Sequence, residues 1–276
     1  MGPPSSAASA PVRPPHQGKR PIGSGHVSAT LVARARPTSS RRDQILPVLP
    51  ALAPLLPGGG LQRGGVVAVD VGGGPARDPA GAPGPSGADG AGGGTTLAFA
   101  LLAAASATSW CAAVGTADPG IVALAELGVD LRHLVLVPRP GALWPQVTAT
   151  LLDGVDAMVL RLTGPVRPEA ARRLAARVRE RRAVLVVLAP ARGWPEAADV
   201  RLSVQAGGWH GVGSGHGHLQ GRRAQVVATG RRAATRPVRV ELWLPAPSGR
   251  IEVVGHSTEE TVATKETVGD AQEKHA

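Results

Sequence analysis

The chain has 276 residues, of which 43% are hydrophobic, and 30 Lys and Arg against 20 Asp and Glu give a formal net charge of +10. That is enough apolar content for one sizeable core, and a cationic balance of this size favours an acidic or polyanionic partner. With no Tyr, one Phe and five Trp, a platform that stacks successive bases on aromatic rings is disfavoured, and a lone cysteine, Cys111, rules out an intrachain disulfide and points to the cytoplasm.

Residues 1–40 are rich in Pro, Ser, Ala and Arg, follow no period, and read as a disordered basic arm without a secretory leader. Between Arg42 and Leu56 the apolar residues fall near helical spacing, but Pro47, Pro50 and Pro54 interrupt them; a broken helix or extended lead-in is expected. Val66 to Val71 is a short apolar strand, and Gly72 to Gly94 is a Gly/Pro-rich insertion expected to be mobile. A helix beginning at Thr95 or Thr96 (LAFALLAAASA) is apolar all round and therefore buried. The long apolar run from Leu97 to Val114 is broken by Ser106, Thr108 and Ser109, so it reads as this helix plus a strand, not as a membrane span.

Strands and helices then alternate: strand Trp110–Val114, helix from Asp118-Pro119 to Gly128, strand Leu134–Val137, helix Trp144–Leu152, strand Val155–Leu162, helix Pro168–Arg182 and strand Ala183–Leu188. Continuous apolar strands separated by helices predict a parallel sheet covered on both faces. Val200–Val204, Ala224–Thr229 and Val238–Leu244 follow with turns between them and are expected to close the sheet as an antiparallel meander. The domain is therefore α/β over residues 41–245, and the acidic-biased tail 246–276 is expected to be disordered, with a weak helix at Glu259–Val268.

A strand, a glycine loop and a helix N-terminus are the parts of a phosphate site, because free backbone N–H groups and the helix dipole favour an anion there. Gly92, Gly93, Gly94, Thr95 and Thr96 are the residues in that position. The motif G-x-x-x-x-G-K-[ST] needs a Lys to reach the β- and γ-phosphates. Aligned on Gly93 and Thr95, the Lys position is Gly94 and the leading Gly is Ala88.

The stretches LLPGGGLQRGGVVAV, SWCAAVGTADPGIVALAELGVDLRHLVLV, VDAMVLRL and AADVRLSV resemble, in order, the lead-in, second-strand-to-third-strand unit, Walker B strand and start of the closing meander of the RecA core. The resemblance covers about residues 44–245 and implies a RecA-like P-loop NTPase fold. More narrowly, LPALAPLLPGGGL, RPGALWPQV, RRLAARVRERRAVLVVL and HGHLQGRR are similar to actinobacterial ImuA-type RecA-like proteins. That likeness implies an ImuB-like partner related to Y-family polymerases, an error-prone C-family polymerase, and a role in SOS mutagenesis and translesion synthesis.

The chain departs from the RecA pattern where chemistry is done. Arg161 stands at the strand-end Asp that would organise Mg²⁺, and Thr116 at the acidic residue that would activate water, with Asp118 the one carboxylate nearby. The stretches RLTGPVRP and APARGWPEAAD are too short to hold the two DNA-binding loops. Loss of Lys, metal ligand and base together implies no ATP–Mg²⁺ cofactor and no rapid hydrolysis. The expectation is a non-catalytic accessory protein. A DNA-dependent ATPase with a rebuilt site and a sequence-independent basic DNA-binding protein remain as alternatives.

Three further groups stand out. Arg167, Arg172, Arg173, Arg177, Arg179 and Arg181 line a helix whose Ala170, Leu174 and Val178 should face the core, giving a solvated face or a contact for DNA phosphates or an acidic partner. His210, His216 and His218 sit in WHGVGSGHGHL, whose spacing fits no zinc site and reads as a turn. Cys111 reads as a small core residue.

Overall fold

The computed structural model describes Gly2 and residues 44–71, 93–190, 193–205, 207–212, 217–230 and 236–255. The arm at 1–40, the insertion up to Gly92 and the stretch Glu259–Val268 lie outside the described residues. Contacts divide the chain after Pro37, and all that follows concerns the unit from Thr38 onward.

The lead-in is held by a two-stranded antiparallel hairpin, β1 (Ile45–Leu46) with β2 (Leu61–Gln62). Between them the prolines force a 3-10 turn, Pro50–Leu55, that still buries Ala51, Leu52 and Leu55. The glycines at the return are a steric requirement, since a Cβ on Gly60 would lie 2.6 Å from the Leu46 carbonyl oxygen.

The main sheet is built on β3 (Val66–Asp70), β4 (Cys111–Val114), β5 (Leu134–Val137), β6 (Ala157–Arg161), β7 (Val184–Ala189) and β8 (Val200–Gln205). It continues through β9 (Trp209–Val212), β10 (Gly217–Gly230), β11 (Val238–Trp243) and β12 (Glu252–Val253). Their order is β12-β11-β10-β8-β3-β7-β6-β4-β5, with β9 on β10. From β5 to β8 neighbours are parallel, and from β8 to β12 they are antiparallel.

Strand alternation splits the core in two. Val67, Val69, Val159, Val186 and Leu188 face α1 (Gly94–Ser106) and α2 (Ile121–Glu126). Val66, Met158, Leu160, Leu185 and Val187 face α3 (Trp144–Leu151) and α4 (Pro168–Arg181). As its composition demands, α1 is buried nearly all round, with Phe99 and Leu97 fully enclosed.

Several expectations need correction. Val200–Val204 is not simply part of a meander: β8 pairs parallel with β3 on one side and antiparallel with β10 on the other. Among the described residues the crossover from β7 to β8 contains no helix, and its Trp194 is buried. WHGVGSGHGHL is not a mere turn, because β9 pairs with the first half of a long β10. The α4 stripe runs through Ala171, Leu174, Ala175 and Val178, leaving Ala170 at its margin. Helix α2 begins after Gly120, not at Asp118-Pro119, whose carboxylate accepts a long 3.4 Å bond from the Gly120 N–H.

The tail boundary also moves. Residues 246–255 are part of the fold: β12 pairs with β11, and Ala246 and Ile251 are buried. Ile251→Ala should therefore cost about 2–3 kcal/mol in urea denaturation, as buried aliphatic truncations do. A change below about 0.5 kcal/mol, typical of a surface position, would return this segment to the tail.

Candidate functional site

The glycine cluster ends at the amino end of α1. Gly93 is the N-cap, with φ 69°, and its carbonyl accepts the Leu97 N–H at 2.9 Å. The helix starts at Gly94, so Thr95 and Thr96 lie in its first turn and neither is its cap. Gly92 lies outside the described residues.

Gly94 is buried against the end of β3. A Cβ placed there would lie 2.9 Å from the Asp70 carbonyl oxygen and 3.4 Å from the Val71 Cα. Backbone atoms of a central strand cannot step aside cheaply, so the position aligned with the phosphate-binding Lys has no room for a side chain.

The structure brings Arg161 to the same place. It ends β6, and its Nη1 donates to Thr95 Oγ1 at 3.3 Å. In a magnesium-dependent site that hydroxyl would be a metal ligand. Here it meets a guanidinium, which repels a divalent cation. Thr116 is buried, and its hydroxyl has no partner among the described residues, so it supplies no base. Asp118 is exposed.

Two further arginines lie at this edge of the sheet, Arg222 on the α1 face and Arg201 on the opposite one, and neither stood out in the sequence. Arg201 pairs with Asp70 at 3.0 Å, engaging the carboxylate at the end of β3. Arg222 is buried, and its Nη1 lies 3.2 Å from where a Gly93 Cβ would be. Burial lowers its pKa from the usual guanidinium value. The signal was the doublet Arg222-Arg223: strand alternation must send one inward and one outward. Arg223 is the outward one, with its guanidinium 4.7 Å from the Trp243 ring centroid. Two guanidiniums, Arg161 and Arg222, thus stand at the positive end of a helix dipole, an arrangement that attracts anions and disfavours metal.

The α4 arginines are partly answered by carboxylates. Arg177 Nε donates to Asp153 Oδ1 at 2.8 Å, Arg181 lies 3.1 Å from the same oxygen, and Arg172 is 4.0 Å from Glu196. Arg173 donates to the Glu169 carbonyl at 3.4 Å, and Arg167 is the helix N-cap. These pairings reduce the field that a phosphate backbone would meet, leaving the Arg179 side chain without a hydrogen bond or ion pair to any described residue.

His210 packs edge-on against Trp243, and no group of three or more potential metal ligands occurs among the described residues. His218 is exposed on β10, and His216 lies outside the described residues. Cys111 is enclosed in β4; desolvation first, and the charge of Asp156 second, push its thiol up to about 12. No helix among the described residues is long and apolar enough to cross a membrane.

Two outcomes follow. Gly94→Ala should destabilise the chain by about 1–3 kcal/mol in urea denaturation, the usual cost of overpacking; equal stability would mean the loop has slack. Cys111 should resist iodoacetamide at pH 8 in the native chain and react only on unfolding, and rapid native labelling would contradict its burial.

A family model described as the MT3502 N-terminal domain matches residues 79–196, from the expected insertion to the crossover before β8. An uncharacterized protein of Mycobacterium tuberculosis, Rv3395c, is 35% identical over 148 residues, which is 50% of this chain and 71% of that protein. The chain belongs to the family of this mycobacterial protein.

Proposed function

We propose that the protein is a non-catalytic, RecA-like accessory factor of the ImuA type, acting in DNA-damage-induced mutagenesis and translesion synthesis. It binds an ImuB-like partner and helps bring an error-prone polymerase to DNA. The observation that carries the non-catalytic part is the packing of Gly94 on the Asp70 carbonyl, with Arg161 on the Thr95 hydroxyl. Phosphoryl transfer needs neutralised β/γ-oxygens and an oriented water. Arginines here can meet an anion, but among the described residues no carboxylate stands where the metal or the water would be held.

The RecA-like part is supported by the chain order of the sheet. The strand preceding the glycine loop is central, the strand bearing Arg161 lies one strand away across β7, and the last strands close antiparallel. The binding role is supported by apolar groups left on the surface of the β9–β10 hairpin, where Trp209 and Leu219 are 49% and 57% exposed.

The purified chain should co-precipitate with an ImuB-like protein and release no phosphate from ATP–Mg²⁺, with or without single-stranded DNA. Turnover stimulated by DNA would overturn the non-catalytic reading, and failure to capture the partner would overturn the accessory role. A deletion probing the tail should begin after Gly255, because one after Leu244 also removes Ile251 and β12 from the core.

A further inference from the structure

A second crevice lies at the carboxyl ends of β4, β5 and β6, on the far side of Arg161. The topology creates it. The chain leaving β4 goes to α2, whose Leu124 packs on the same side as α1, whereas the chain leaving β6 goes to α4 on the opposite face. β4 and β6 are hydrogen-bonded neighbours. Where adjacent parallel strands send their connections to opposite faces, a crevice opens beyond their ends, and ligands of α/β sheets bind in such places.

The crevice here has a volume of about 450 Å³. That falls in the range of small-molecule sites. Gly115, Ala117, Arg139, Trp144, Arg161 and Thr163 are among the residues that line it. Two guanidiniums line it and no carboxylate does. Arg139 is exposed and makes no ion pair with any described residue. Trp144 is half-buried, with one side packed on the α3–α4 core.

These features specify a ligand chemistry. A guanidinium fork matches a phosphate or carboxylate, and an indole face matches a planar ring. The charges of Arg139 and of Arg161, the latter also bonded to Thr95, offset much of the about −1.5 to −2 that a phosphate monoester carries near neutral pH, without a metal. We propose that this crevice binds a small organic phosphate bearing a planar ring, of the nucleoside monophosphate class, with the phosphate on Arg139 and Arg161 and the ring against Trp144. The inference does not depend on the accessory role, since it rests on a different crevice and on the sheet topology.

Titration of the full chain with AMP in EDTA, followed by tryptophan fluorescence and calorimetry, tests it, with inorganic phosphate and adenosine as separate probes. AMP should bind saturably and more tightly than either fragment. Arg139→Ala, an exposed position, should weaken AMP and phosphate alike by about tenfold, the loss of one charge-assisted pair. Trp144→Leu should weaken AMP but leave phosphate unchanged, provided its circular dichroism is native. No saturable binding at millimolar AMP would overturn the proposal. So would binding that survives Arg139→Ala but is lost in Thr95→Val, which would place the ligand at the end of α1.

Discussion

The close approach of α1 to the end of β3 sets the geometry of the whole carboxyl edge of the sheet. Gly93 takes a left-handed conformation and Gly94 sits on the Asp70 carbonyl, so the helix enters the sheet without a side chain between them. That depth lets Phe99 and its neighbours fill the face formed by Val67, Val69, Val159 and Val186. It also places Thr95 within reach of the residue that ends β6. One steric fact therefore links the packing of the core to its edge: tight seating of α1 leaves no room for a side chain at position 94.

Charge then follows packing. Arginines stand at the ends of three strands: Arg161 of β6 and Arg222 of β10 on the α1 face, and Arg201 of β8 on the opposite one. Arg201 is tied to Asp70 and Arg161 to Thr95, so part of this charge is used to join strands and helix. On the proposed reading, the edge that would run hydrolysis in a RecA-like enzyme has become an interstrand brace, and the work of the protein has moved to its surfaces.

Much of this was legible before any coordinates. Runs such as AVLVVL and VDAMVLRL can be satisfied only between two helical layers, which fixed their place in a parallel sheet. Gly94 and Arg161 could be named as substitutions by spacing alone. Their contact with neighbouring groups could not, because it depends on how deeply α1 is seated. The tail misled for a compositional reason: Ala246 lies between two prolines and Ile251 opens only the short stretch IEVV, and their burial comes with a two-residue pairing too short to leave a period. β8 misled because its alternating pattern is that of a half-exposed strand, whereas its partner β3 is distant in sequence and not visible to local periodicity. Arg222 was hidden because a buried guanidinium in a strand has no sequence signature beyond alternation.

The central claim is that Arg161 has taken the place of the metal at Thr95. Calorimetric titration of the full chain with ATP, once in Mg²⁺ and once in EDTA, tests it most directly. The account predicts binding no tighter in Mg²⁺ than in EDTA, because nothing at the end of α1 recruits the metal. A marked tightening in Mg²⁺ that disappears in Thr95→Val would contradict it.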